Sequence, residues 1–219
     1  MSEAAVEGVE QDFLQRNHFL LRKLHSLAGL IPLGVFILKH FWANAHILTH
    51  YGPVAFNEQK EEIHGYPGFN FIEWAIFIPL AFHAFYGLAI WLQAKNNTTA
   101  YQYTRNVFYS FQRWTGVIIF AFLIIHIWFT RVQEAFFGSY VDARYMYDYL
   151  ATWYIFAIYV VGVLATTFHF GNGLWNMGIT WGVTIGPKAQ RLSMYAAMMV
   201  FGVLAATGVA VAIEFFSGM

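Results

Sequence analysis

A chain of 219 residues that is 58% hydrophobic, 20% aromatic and only 11% charged carries less than half the charge of an ordinary soluble domain. Its formal net charge of zero gives no basis for nucleic-acid binding, and the absence of cysteine excludes disulfides, thiolate chemistry and protein-ligated iron–sulfur clusters within the chain. The charges fall in blocks between long apolar runs, the pattern of a protein whose solvent is largely lipid.

Residues 1–21 are polar and acidic with no apolar signal-peptide core, and are expected to form a cytoplasmic N-terminal segment. Five apolar stretches follow, expected as membrane helices at approximately 22–45, 71–95, 109–133, 149–179 and 189–216. Each reaches or approaches the roughly 20 residues that cross a ~30 Å hydrocarbon layer. Pro32 and Pro79 fall inside the first two, where a missing N–H opens or kinks a helix. The fourth has the loosest end, because Gly171, Gly173, Gly178, Gly182, Gly186 and Pro187 crowd it. With no internal repeat and no second domain visible, residues 1–219 read as one all-α membrane domain, a five-helix bundle.

Basic residues set the expected orientation. With the N-terminus inside, the inner segments hold Arg16, Arg22, Lys23, Lys95, Arg105, Arg113, Lys188 and Arg191, and the outer ones only Lys60, Arg131 and Arg144. Eight against three is a positive-inside bias, so the N-terminus is expected in the cytoplasm.

Polar side chains inside hydrocarbon need a partner or a purpose. Four of the five stretches carry a histidine in apolar surroundings: His40 (VFILKHFW), His83 (PLAFHAFYG), His126 (FLIIHIWF) and His169 (ATTFHFGNG). Helical rise places His40 roughly 27 Å beyond Arg22 and His126 roughly 20 Å beyond Arg113, both toward the outer side. His83 lies roughly 18 Å before Lys95 and His169 roughly 30 Å past Tyr149, both lower. Two pairs at two depths are what bis-histidine ligation of two stacked haems requires. Zinc would want three or four ligands at one level with HxxxH or HExxH spacing, and none of these four histidines takes part in either spacing. Small residues should let a flat macrocycle approach the backbone, and Gly29, Gly34, Ala84, Gly87, Gly171 and Gly173 flank the histidines in sequence. His25, in RKLHS, sits at the inner surface, where with Arg22 it can meet a haem propionate or a partner subunit; Arg113 is grouped with them. His46, His50 and His64 read as solvated outer-loop residues, and the tryptophans and tyrosines near helix ends as an interfacial belt.

The runs RKLHSLAGLIP at 22–32, KHF at 39–41, FHAFYG at 82–87, QRWTG at 112–116, HIWFTR at 126–131, FHFGNGLW at 168–175 and TWGVT with QR at 190–191 resemble one protein class. That class is the cytochrome b membrane anchor of succinate dehydrogenase and fumarate reductase, in its five-helix, two-haem form. The resemblance covers about residues 16–195. It implies two haem b groups, the inner held by His83 and His169 and the outer by His40 and His126. It also implies a cytoplasmic flavoprotein with FAD and an iron–sulfur protein docked on the inner face, in a bacterial cytoplasmic membrane. Electrons would run from succinate through the clusters and both haems to a quinone, menaquinone in most members of this form. The anchor itself would hold no succinate site.

Some two-haem fumarate reductase anchors carry a glutamate two residues before the helix-IV ligand; here that position is Thr167, which favours succinate oxidation. A quinone pocket is expected at the outer end of the first two helices, with Trp42, Asn44, His64 and Glu73 as candidate lining. Glu73 also suits a helix N-terminus, where the macrodipole favours a carboxylate. Two other readings fit the intramembrane histidines: a cytochrome b anchor of a hydrogenase or formate dehydrogenase, and a haem-free proton-coupled transporter.

Overall fold

In a computed structural model of the chain, the described backbone covers residues 3–94 and 98–218, with side chains from Arg16 onward; Lys95, counted above among the inner basic residues, lies outside it. Among the described residues the only regular structure is helical. The elements are α1 (Glu3–Leu30), α2 (Pro32–Asn44), α3 (Gly52–His64), α4 (Phe69–Gln93), α5 (Thr104–Ile127), α6 (Gln133–Phe137), α7 (Ala143–Leu150), α8 (Trp153–Thr180) and α9 (Pro187–Ser217). Among the described residues five stretches are long and apolar enough to span a membrane: Arg16–Leu48, Phe69–Gln93, Thr104–Phe137, Trp153–Thr180 and Pro187–Ser217. The five-span, all-α architecture read from the sequence is the observed one. Below, the near face is the one at which α1 enters its span, and the far face the opposite one.

The elements differ from expectation where polar sequence turns out to be helical. The first helix begins at Glu3 and not near residue 22, because EAAVEGVEQDFLQRN contains strong helix formers and no proline. Pro32 divides α1 from α2, yet Ile31 N still donates to Leu27 O (2.9 Å) and Val35 N to Ile31 O (3.2 Å), so the span carries on across the break. Pro79 lies inside α4 without ending it. The fourth span runs unbroken through Gly171, Gly173 and Gly178 to Thr180; the chain turns only at Gly182, whose φ of +70° suits a residue without Cβ. It starts at Trp153, not near 149, because α7 intervenes, with Asp142 Oδ1 accepting from Tyr145 N (2.8 Å) as an N-cap.

The stretch read as outer loop also contains α3. It is fastened to the far face by Asn57 Oδ1, which accepts from Ala143 N (2.9 Å) and so anchors the start of α7. Beneath it Ile47, Met146, Tyr147, Leu150 and Phe215 form a buried far-end core.

Burial is uneven around the bundle. Where α8 meets α9 the helices approach through small residues, with Ala165, Gly171, Ala197, Ala205, Gly208 and Ala212 all buried. A Cβ on Gly171 would come within 2.8 Å of the Ala197 carbonyl oxygen, so that approach requires glycine. By contrast α4 buries no residue. Its Phe71, Ile78, Phe85 and Leu92, spaced by seven, are each more than 60% exposed. In water such a stripe invites aggregation; in a bilayer it is the surface that faces lipid.

Candidate functional site: two levels of histidine

Four spans deliver their histidines to two places. At the near level, the rings of His83 on α4 and His169 on α8 have centroids 6.1 Å apart and planes crossed at 81°. At the far level, His40 on α2 and His126 on α5 lie 5.8 Å apart, crossed at 84°. All four rings are half-buried.

The ring nitrogens are held in a directed way. His83 Nδ1 lies 2.9 Å from the backbone oxygen of His25. His169 Nδ1 lies 3.0 Å from the backbone oxygen of Gln112, with Thr115 Oγ1 at 3.3 Å. A carbonyl can only accept, so these two rings carry their proton on Nδ1 and keep the Nε2 lone pair free. His126 Nδ1 meets a hydroxyl instead, that of Tyr159 on α8, at 3.2 Å. An imidazole whose Nδ1–H is engaged and whose Nε2 is bare is the tautomer a metal requires.

Glycines make room for these rings, but not in the way their sequence positions suggest. Gly29 and Gly34 precede His40 in the chain, yet neither serves it. A Cβ on Gly29 would stand 2.5 Å from His83 Cε1, and one on Gly34 would meet Phe170. A Cβ on Gly87 would reach His25 Cε1 at 3.0 Å, and on Gly116 His169 Cε1 at 3.3 Å. Gly171 serves helix packing and Gly173 borders Gln112. Helix partners, not chain neighbours, determine which ring a glycine admits; Gly116 was missed because its histidine lies on another helix.

His25 lies with the near pair. Its ring stacks on His83 at 4.0 Å with planes 10° apart, and its Nδ1 is buried without a hydrogen-bond partner. Arg22, grouped with it on sequence, is exposed. Arg113 goes elsewhere: its Nη2 donates to the carbonyls of Trp91 and Ala94 (2.8 Å each), closing the last turn of α4. Lys23 Nζ does the same for α8, donating to Thr180 O at 2.5 Å beside the Trp181 ring.

The four residues grouped as quinone lining divide. Trp42 packs edge-on against His46 with Lys39 Nζ 3.9 Å above its ring, and Asn44 Nδ2 donates back to His40 O (2.8 Å). His64 and Glu73 join a separate far-face cluster. Glu73, five residues past the Gly68 cap of α4 and so beyond its first turn, is held by Arg131 through two bonds, the Nη2–Oε2 one at 2.8 Å. Glu134 pairs with Lys60 and lies 4.0 Å from His64 Nε2. Burial lowers the His64 pKa and the Glu134 carboxylate partly offsets this. One wide π-turn, Trp128–Val132, directly follows α5 and brings Arg131 to this cluster.

Five apolar spans, with histidines from four of them facing one another in two pairs, define a multi-pass membrane protein. Residues 93–210 match the family of succinate dehydrogenase/fumarate reductase transmembrane subunits. The chain is also 39% identical over 191 residues, 87% of its length and 93% of the other's, to the succinate dehydrogenase cytochrome b558 subunit of Bacillus subtilis (strain 168). It belongs to that family of transmembrane subunits.

Proposed function

We propose that this chain is the dihaem cytochrome b anchor of a succinate:quinone oxidoreductase in a bacterial cytoplasmic membrane. The observation that carries the reading is the pair of crossed imidazoles at each level, with centroids 5.8 and 6.1 Å apart. An imidazole nitrogen binds a first-row metal at about 2 Å, so two rings on opposite sides of one iron have centroids roughly 6 Å apart. The donor set fits: three of the four rings have Nδ1 occupied, two of them on carbonyls, and the near ligands sit where glycines leave space for them.

On this reading His83 and His169 hold the haem nearer the N-terminal face, and His40 and His126 the other. A haem with both axial positions filled by histidine has no open site for oxygen and serves electron transfer. The chain's own work is to fix two ligand pairs at different depths, so that electrons delivered at one face reach a quinone at the other. The basic near face is cytoplasmic by charge bias and takes the FAD flavoprotein and iron–sulfur subunits. The acceptor is menaquinone, bound toward the far face. There His64 is the exchangeable group best placed to hand a proton to a reduced quinone, whereas the Glu73 and Glu134 carboxylates are committed to Arg131 and Lys60.

The test is haem content per chain in the purified complex, with each of the four histidines replaced in turn. Two haems are expected in the parent. Replacing His83 or His169 should remove one spectral population, and replacing His40 or His126 the other. Loss patterns that join His40 to His83, or a colourless parent expressed with ample haem, would overturn the proposal. Covalent flavin co-purifying with the chain checks the partner assignment.

A further inference from the structure

Three of the ligand histidines have an Nδ1 partner, and only one of those partners is a side chain alone. His83 and His169 lean on backbone carbonyls, which no substitution removes. His126 leans on the Tyr159 hydroxyl, 3.2 Å from its Nδ1. Tyr159 is 6% exposed and lies in the bundle between α5 and the far-end core. Its ring stands edge-on to Phe122 (5.3 Å, 89°), and Phe122 in turn stacks on His126 (5.3 Å, 25°). The three rings therefore brace one another. Gly162, one turn beyond Tyr159 on α8, is what lets Phe122 lie against that helix, since a Cβ there would overlap its ring. Tyr149 packs edge-on against the other side of Tyr159 at 5.8 Å. Phenylalanine at this point would keep the ring and remove only the hydroxyl, which faces His126 and the neighbouring Tyr149 hydroxyl.

We infer that Tyr159 is a positioning and tuning residue for the far-level haem, acting through His126. This rests on the haem reading above. With Nε2 given to iron, His126 must carry its proton on Nδ1 and donate it to the Tyr159 oxygen. Such a bond fixes the ring's rotation and raises the basicity of the metal-binding nitrogen. A more basic ligand favours the ferric state, so the hydroxyl holds the far-level haem at a lower reduction potential than it would otherwise have, and outer hydrogen bonding is a recognised lever on haem potential. The near-level haem has no equivalent side-chain lever on His83, whose Nδ1 partner is main chain.

The experiment is a redox titration of both haems in the intact complex, parent against Tyr159→Phe, with low-temperature spectra of the ferric low-spin signals. The far-level haem is assigned beforehand by its loss in His40→Ala. Expected is an upward shift of the far-level potential, a changed ferric signal for that haem alone, and no movement of the near-level one. Phe122→Leu is the packing control: it loosens the same three rings without removing a hydrogen bond, and should move the far-level potential less. An unchanged or lowered far-level potential in Tyr159→Phe overturns the inference, as does an equal shift at both haems or an equal shift in Phe122→Leu. Selective loss of the far-level haem in Tyr159→Phe also overturns it as tuning, making the hydroxyl a condition of ligation. A parent without two haems would instead refute the underlying haem reading.

Discussion

The two histidine levels are built from the same side chain at nearly the same ring separation, yet they are anchored by different kinds of atom. At the near level, backbone oxygens of His25 and Gln112 hold His83 and His169, and glycines on the neighbouring helices stand against both rings. At the far level, His126 is held by a tyrosine hydroxyl and an aromatic stack. The near level is thus specified by where the helices run. The far level is specified by which side chains they carry, and single substitutions should adjust it more finely. Backbone anchoring resists mutation of the anchor but is vulnerable to anything that shifts a helix.

The strongest way to break this contrast is Gly29→Val. Its first added carbon alone would stand 2.5 Å from the His83 ring, with the main chain of α1 behind it. We expect most of the near-level haem to be lost and the far-level haem kept, read as haem per chain and as the surviving ferric signal. Loss of both haems would mean that the levels are not independent. Next is Gln112→Ala. The Gln112 Oε1 accepts from Asn172 Nδ2 at 2.7 Å, and Asn172 is fully buried. Losing that acceptor should destabilise the protein by about 1–3 kcal/mol, the usual cost of a buried polar group left short of a partner. Thermal unfolding in detergent checks it, and the near-level signal should broaden before the far-level one changes. Arg131→Gln is the smaller far-side counterpart. Arg131 and Glu73 are partly exposed, so unpairing them should cost only about 1 kcal/mol, with the near-level haem unaffected.

Much of this arrangement was legible in the sequence, for identifiable reasons. Five apolar stretches of spanning length announce themselves because lipid demands twenty residues of one character. Counting helical rise from flanking charges, and for His169 from Tyr149, grouped His40 with His126 and His83 with His169, and those rings lie 5.8 and 6.1 Å apart. What did not show was anything decided between helices. Gly29 reads as a neighbour of His40 but faces His83, Arg113 closes the end of α4, and Glu73 finds Arg131 some 58 positions away. Likewise α3 carries too many polar residues for an apolar pattern to reveal it; its helix is held by far-face contacts such as Asn57 with Ala143. Tyr159 sits in an apolar run that reads as plain membrane helix, and only the fold brings its hydroxyl to His126.

The smallest effect concerns pH at the far face. His64 faces Glu134, Lys60, Arg131 and Glu73 across the gap between α3 and the far-face ends of the second and third spans, with the Phe69 ring tilted against it at 4.6 Å. Burial holds its pKa in the folded protein below the ordinary 6.5 despite the attraction of Glu134. As pH falls through that ordinary value, the unfolded chain takes up a proton at His64 before the folded one does. Folding therefore loses stability on that side, and the loss levels off once pH passes below the folded value. His64→Gln removes the group from both states, so the variant's thermal midpoint should fall less between pH 7.5 and about 5 than the parent's. The difference is expected to be small, because the His64 side chain keeps 38% of its surface exposed and solvent screens its neighbours. A steeper fall in the variant would mean that Glu134 outweighs burial and that the ring is charged in the folded state. The far-face cluster would then be a locked salt bridge and could no longer be regarded as an exchangeable proton donor.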